Sequence, residues 1–218
     1  MGLVAKNLRA KNLVAYNQPI YFVGWGTGST AGSGTSVASS WSFTTPKVGD
    51  LMVVIVSSNN AAGNTWTPPA GWNELTDPGV APNISICWKN YVVGDPSSWL
   101  WTSTVSGQLI STMLIYRNAA IDLIGGFGTV TSGSTAVVAP AISTTANNSI
   151  VLSVFASSAG TAFSTPTGTT QINSYTVGTT THAVFWNFQQ TAAQTGTRTS
   201  NATATGSNVG IMLGIKAA

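Results

Sequence analysis

The residues able to do chemistry in this chain are few enough to take one at a time. Among 218 residues there are five acids, eight Lys and Arg, one His and one Cys. The acids are Asp50, Glu74, Asp77, Asp95 and Asp122. Glu74 and Asp77 form the one close pair and stand near Trp72. That is the composition of a glycosidase dyad, in which one carboxyl protonates the leaving oxygen and the other attacks or activates water. Asp50, Asp77 and Asp95, however, lie in the turn sequences Gly49-Asp50, Asp77-Pro78-Gly79 and Gly94-Asp95-Pro96. There an Asp side chain caps its own backbone and needs no substrate.

His182 alternates with Val184, Trp186 and Phe188 along one strand-like run, so it reads as a core imidazole. Cys87 is alone, so no intramolecular disulfide forms, and with one His it cannot complete a zinc site. Gly24-Trp25-Gly26-Thr27-Gly28 has the look of a phosphate loop but lacks the following helix and Lys. It reads as the start of a long surface loop over Gly24 to Ser36, and Gly125-Gly126-Phe127-Gly128 is its counterpart. No catalytic residue, metal or cofactor is assigned, and the expectation is a protein that is not an enzyme.

Charge points the same way. Asp, Glu, Lys and Arg make up 6% of the chain, against roughly 25% in typical soluble domains. The net charge of +3 reflects scarcity of charge, since Lys6, Arg9 and Lys11 are the one basic cluster. Duplex binders set roughly six to ten cations against phosphates, so no nucleic-acid partner is expected. Residues 1 to 18, with Lys6, Arg9, Lys11 and Tyr16, read as an extended basic arm that docks on a partner. No signal peptide is visible and no apolar run reaches the ~18 residues of a membrane span, so the expectation is a product made in the cytoplasm with no membrane partner. The sequons at Asn83, Asn147 and Asn201 then carry no meaning.

Trp is the informative excess, with eight residues. Trp88 and Trp186 alternate with aliphatics and read as core. Trp66 and Trp72 flank the turn Pro68-Pro69-Ala70-Gly71, and Trp99 and Trp101 share a strand face. These four are the candidates for contact with a glycan or a neighbouring subunit, because indole offers a broad apolar face with one donor.

The elements that must hold these groups are strands. Ile84, Ile86 and Trp88 alternate with Ser85, Cys87 and Lys89, whereas Leu51 to Val56 has no polar side and predicts a central strand covered on both faces. Turn clusters of Pro, Gly and Asp separate such runs, and no window has a helical period. The chain also matches itself at a shift of about 100 residues. Leu51 to Val56 resembles Ile150 to Phe155, Pro69 and Gly71 return as Pro166 and Gly168, Trp88 as Trp186, Gly107 as Gly206, and Met113-Leu114 with Arg117 as Met212-Leu213 with Lys216. The fold expected is all-β, an antiparallel, jelly-roll-like sandwich over 19–218 built from halves 19–119 and 120–218. Two tandem small sandwiches are the alternative.

Val48-Gly49-Asp50-Leu51-Met52-Val53-Val54, Pro69-Ala70-Gly71-Trp72, Trp88-Lys89-Asn90-Tyr91 and Ile115-Tyr116-Arg117-Asn118 together resemble β-sandwich proteins of tailed bacteriophages. Ile142 to Ile150 and Pro166-Thr167-Gly168-Thr169-Thr170 continue the likeness in the second half. The resemblance covers roughly residues 36 to 216 and rests on turn motifs. It implies a virion part without catalytic residues: a capsid decoration (cement) protein bound to the major capsid protein, or a tail-fibre module that contacts host surface polysaccharide. Few charges and a surface of Ser, Thr, Asn and Gly suit crowded copies, since low net charge favours association, and a homo-oligomer or other virion proteins are the expected partners.

Overall fold

The computed structural model describes residues 19–41, 45–60, 64–77, 79, 81–130 and 134–218. The arm residues Lys6, Arg9, Lys11 and Tyr16 lie outside the described residues. Every named element is a strand: β1 Tyr21–Ser40, β2 Leu51–Ser58, β3 Trp66–Thr67, β4 Asn73–Thr76, β5 Asn83–Asn90, β6 Ser98–Arg117, β7 Ala119–Val130, β8 Ala136–Ala139, β9 Ser149–Ser157, β10 Thr170–Val177, β11 Thr180–Gln189, β12 Arg198–Asn201 and β13 Asn208–Ala217.

The chain is an antiparallel β-sandwich, and each half supplies one sheet. The first sheet has the order β1-β6-β2-β5-β4, with β3 on β6; the second, taken from the corresponding edge, has β7-β13-β9-β11-β10. Strand by strand the two orders correspond. The main core lies between the sheets, where Leu51, Val53, Ile55, Ile84, Ile86 and Leu114 meet Ile150, Leu152, Val154, Val184, Ile211 and Leu213.

Alternate residues of the same strands build two further cores on the outer faces. Met52, Val54, Val56, Cys87, Met113 and Ile115 are covered by Val37, Trp99 and Trp101. Val151, Phe155, Ala183, Phe185 and Met212 are covered by Val137, Ala139 and Ala202. The covers are ribbons: the far ends of β1 and β6 in the first half, and the separate pair β8–β12 in the second. Each half is thus a sheet with a ribbon folded over it, and the two halves share the central core. β2 and β9 are buried along their whole length, which is why their only polar residues are small serines.

One segment departs from its sequence reading. Residues 24–36, expected as a surface loop, belong to β1, which pairs with β6 from Tyr21 opposite Arg117 to Ser40 opposite Ser98. Register shifts between Phe22 and Gly24, Thr30 and Gly34, and Gly34 and Ser36 mark where it bends. The small residues serve a crossing. A Cβ on Gly28 would overlap the carbonyl oxygen of Ala38, and one on Gly128 would overlap that of Val138. Here the ribbon backbone passes over its own sheet in both halves.

His182 sits between the sheets, fully buried as its alternation predicts. Its Nδ1 lies 2.9 Å from Ser57 Oγ and its Nε2 2.6 Å from Thr112 Oγ1, which also accepts a hydrogen bond from Asn173 Nδ2 at 2.8 Å. A neutral imidazole needs one donor and one acceptor, and two hydroxyls can serve either way. Burial holds the imidazole down at about 3, from an ordinary 6.5. The unfolded chain therefore takes up a proton near pH 6.5 that the folded chain refuses until about pH 3. Stability is expected to fall as pH drops through that window, by up to about 1.4 kcal/mol per pH unit. Urea unfolding between pH 7 and 4.5 measures this, and His182→Gln should flatten the profile. A flat wild-type profile would mean that the folded chain protonates the ring freely.

Candidate functional site: an aromatic cleft between the sheets

The four indoles that are candidates for glycan or subunit contact are buried. Trp66, Trp72, Trp99 and Trp101 retain 4%, 8%, 6% and 0% of their exposure. Trp72, Trp99 and Trp101 form an edge-on and tilted ladder with Trp41 and Tyr91: ring centroids are 5.7 Å apart for Tyr91 and Trp41, 5.3 Å for Trp41 and Trp99, 5.3 Å for Trp99 and Trp72, and 5.0 Å for Trp72 and Trp101. The folded ribbon that carries Trp99 and Trp101 turns their faces onto the first sheet. They offer no platform to a sugar, and they contribute packing instead.

The ionisable groups are tied into the fold. Asp50 accepts from Lys47 N, Asp77 from Gly79 N and Asp95 from Val92 N, at 2.8, 3.2 and 2.9 Å, which is the turn-capping role the sequence predicts. Asp50 also takes both Nε and Nη2 of Arg117, at 2.9 and 2.8 Å, and this bidentate hydrogen bonding pushes the guanidinium further up from its ordinary value. Lys89 pairs with Asp95 at 2.6 Å and Lys216 with Asp122 at 3.5 Å. In the Glu74 and Asp77 pair, Glu74 accepts from Ser85 Oγ at 2.7 Å, while Asp77 also accepts from Trp66 N and Asn83 Nδ2 at 2.9 and 3.0 Å. Both are occupied in holding the loop ahead of β5. Burial raises the Cys87 thiol to about 11, so it stays protonated and unreactive.

The feature not used by the fold is a cleft of about 560 Å³ at one end of the sandwich. The first sheet contributes Phe22 and Trp25 from β1 and Tyr116 from β6; the second contributes Ile150, Ile172, Trp186 and Phe188 from β9, β10 and β11. Asn147, Asn148 and Gln171 add amides, and Pro19, Ile20 and Ala217 complete the wall. Asn148 holds φ of 59°, a left-handed turn that Asn tolerates well, and its N–H donates to Gln190 O at 3.1 Å.

Two properties distinguish this cleft. Among the described residues, no Asp, Glu, Lys, Arg or His lines it. In addition, Tyr116 is only 1% exposed, and its Oη, closed to solvent, has no hydrogen-bond partner among the described residues. Burial pushes that phenol up, so it stays a protonated donor. Phe22 packs on the Tyr116 ring at 5.3 Å, and Phe22 and Phe188 keep 45% and 55% of their exposure at the rim.

Known proteins offer no guide to what fills it. The chain matches no family model, no curated protein and no solved structure. The reading therefore rests on the residues themselves.

Sequence patterning put Trp186 and Phe188 on the core face, and Trp186 does pack partly against the central core. Phe188 continues that face past the end of the opposing sheet and becomes a cleft wall. The usable signal was the apolar alternation running through Val184 and Trp186 to Phe188, one residue from the end of the strand.

Proposed function

We propose that this chain is a non-enzymatic structural protein of a tailed-phage virion, a capsid decoration protein that binds major capsid subunits and sits beside further copies of itself. The observation that carries the reading is how the body disposes of its ionisable groups. All five acids cap turns, pair with cations or bind hydroxyls, so among the described residues the surface is mostly neutral polar, with a few exposed apolar residues and isolated charges such as Lys47. Tyr21 and Phe22, at 52% and 45% exposure, gather where residues 1–18 join the sandwich. A basic N-terminal sequence followed directly by this apolar rim suits a protein pinned among neighbours. The edges of the two sheets also remain open for lateral contact among the described residues, at β1 and β4 and at β7 and β10.

Electron microscopy of antibody-labelled virions of the encoding phage tests this. Label over the head shell is expected. Label confined to the tail, or no label, would refute the assignment. Deleting residues 1–18 is expected to abolish incorporation into virions while leaving the melting temperature of the sandwich nearly unchanged. Unimpaired incorporation would remove the arm from the docking surface.

A further inference from the structure

We infer that the inter-sheet cleft is a binding site for an uncharged saccharide, a role that goes beyond virion assembly and does not depend on it. Three observations define the ligand. Among the described residues, no ionisable group able to balance a charge lines the cleft, and enclosing an unpaired charge there would be costly. Anionic and cationic ligands are therefore disfavoured. Its walls are flat rings, with Trp25 and Phe22 from one sheet and Trp186 and Phe188 from the other. Such walls match the C–H faces of a pyranose ring. Its volume of about 560 Å³ falls within the roughly 300–1,000 Å³ of sites that enclose small ligands.

The mouth of the cleft separates a saccharide from a purely aliphatic guest: a sugar can present hydroxyls to polar side chains there while its ring face lies on the aromatic walls. At the mouth, Asn148 and Gln171 are exposed amides that both donate and accept, which suits vicinal hydroxyls. The same uncharged, amphipathic surface explains why eight tryptophans did not locate the site in the sequence: only Trp25 and Trp186 of the eight line it.

The test uses the full chain on an array of neutral and acidic oligosaccharides, followed by calorimetric titration of the strongest neutral binder. Binding to neutral members is expected. Gln171→Ala, which removes an exposed amide at the mouth, is expected to weaken binding about tenfold with a nearly unchanged melting temperature. Phe188→Ala, at an exposed rim position, should weaken it by a similar factor. Leu100→Ala, exposed on β6 and absent from the cleft wall, should leave it unchanged. Preference for acidic sugars, no saccharide bound, or affinity indifferent to Gln171→Ala and Phe188→Ala would each overturn the inference. So would an apolar dye that binds the cleft and is displaced by no sugar, an outcome assigning the cleft to an apolar protein segment.

Discussion

Trp101→Ala is expected to lower folding stability by about 3–5 kcal/mol, the range for removing a buried large aromatic side chain. Trp101 has no exposed surface and ends the aromatic ladder in an edge-on contact with Trp72 at 5.0 Å. It packs in the outer core among residues such as Met52, Val54, Cys87 and Met113, on strands held on both sides by neighbours in the sheet. Those strands cannot collapse into the space, so both the lost transfer energy and the cavity contribute. Equilibrium urea unfolding measures the effect as a shift in midpoint at constant slope. Leu100→Ala, one residue away but 55% exposed, should stay within about 0.5 kcal/mol. A loss below 1 kcal/mol at Trp101 would mean that the ribbon does not cover the first sheet as described. The same experiment distinguishes packing from ligand contact, since an exposed sugar platform could be truncated without loss of stability.

Gly28→Val and Gly128→Val should be more damaging still, with little folded protein recovered. At both positions the first side-chain carbon would occupy the space of a carbonyl oxygen, Ala38 in one half and Val138 in the other. Neither carbonyl is free to retreat. Ala38 O accepts from Ser111 Oγ at 2.7 Å, and Val138 is paired with Thr199 in the β8–β12 ribbon. A Cβ on Gly210 would also come within 2.8 Å of Val138 O. The milder Gly→Ala changes are expected to cost at least the roughly 1–3 kcal/mol typical of overpacking. Gly126→Ala is the control, because nothing lies within 4 Å of its Cβ position. Thermal melts and soluble yields of the three variants decide the matter, and equal tolerance at 28, 126 and 128 would remove the crossing from the fold.

Much of the strand layout was legible because the period of a strand is local. The unbroken apolar run at Leu51 to Val56 needs cover on two faces, and β2 receives it from the central core on one side and the tryptophan core on the other. The turn acids were legible for the same reason: Asp50, Asp77 and Asp95 cap backbone within three residues of themselves. His182 could be placed in the core from alternation alone, although its hydroxyl partners Ser57 and Thr112, both in the other half of the chain, could not. The Gly/Ser/Thr-rich part of β1 was misread because strand propensity mostly measures side-chain packing. A segment that must let backbone pass within contact distance gives up those side chains.

Sequence alone thus determined an all-β chain, nearly free of charge, with continuous apolar strands and self-capping turns, since each of these is decided by residues within a few positions of one another. The tertiary structure decided which apolar faces are covered. Ribbons folding over the outer faces enclosed Trp66, Trp72, Trp99 and Trp101, while the end of the inter-sheet space left Trp25, Trp186 and Phe188 lining an open cleft. Alternation assigns a residue to a face of its strand, but what lies opposite that face depends on residues far away in the chain.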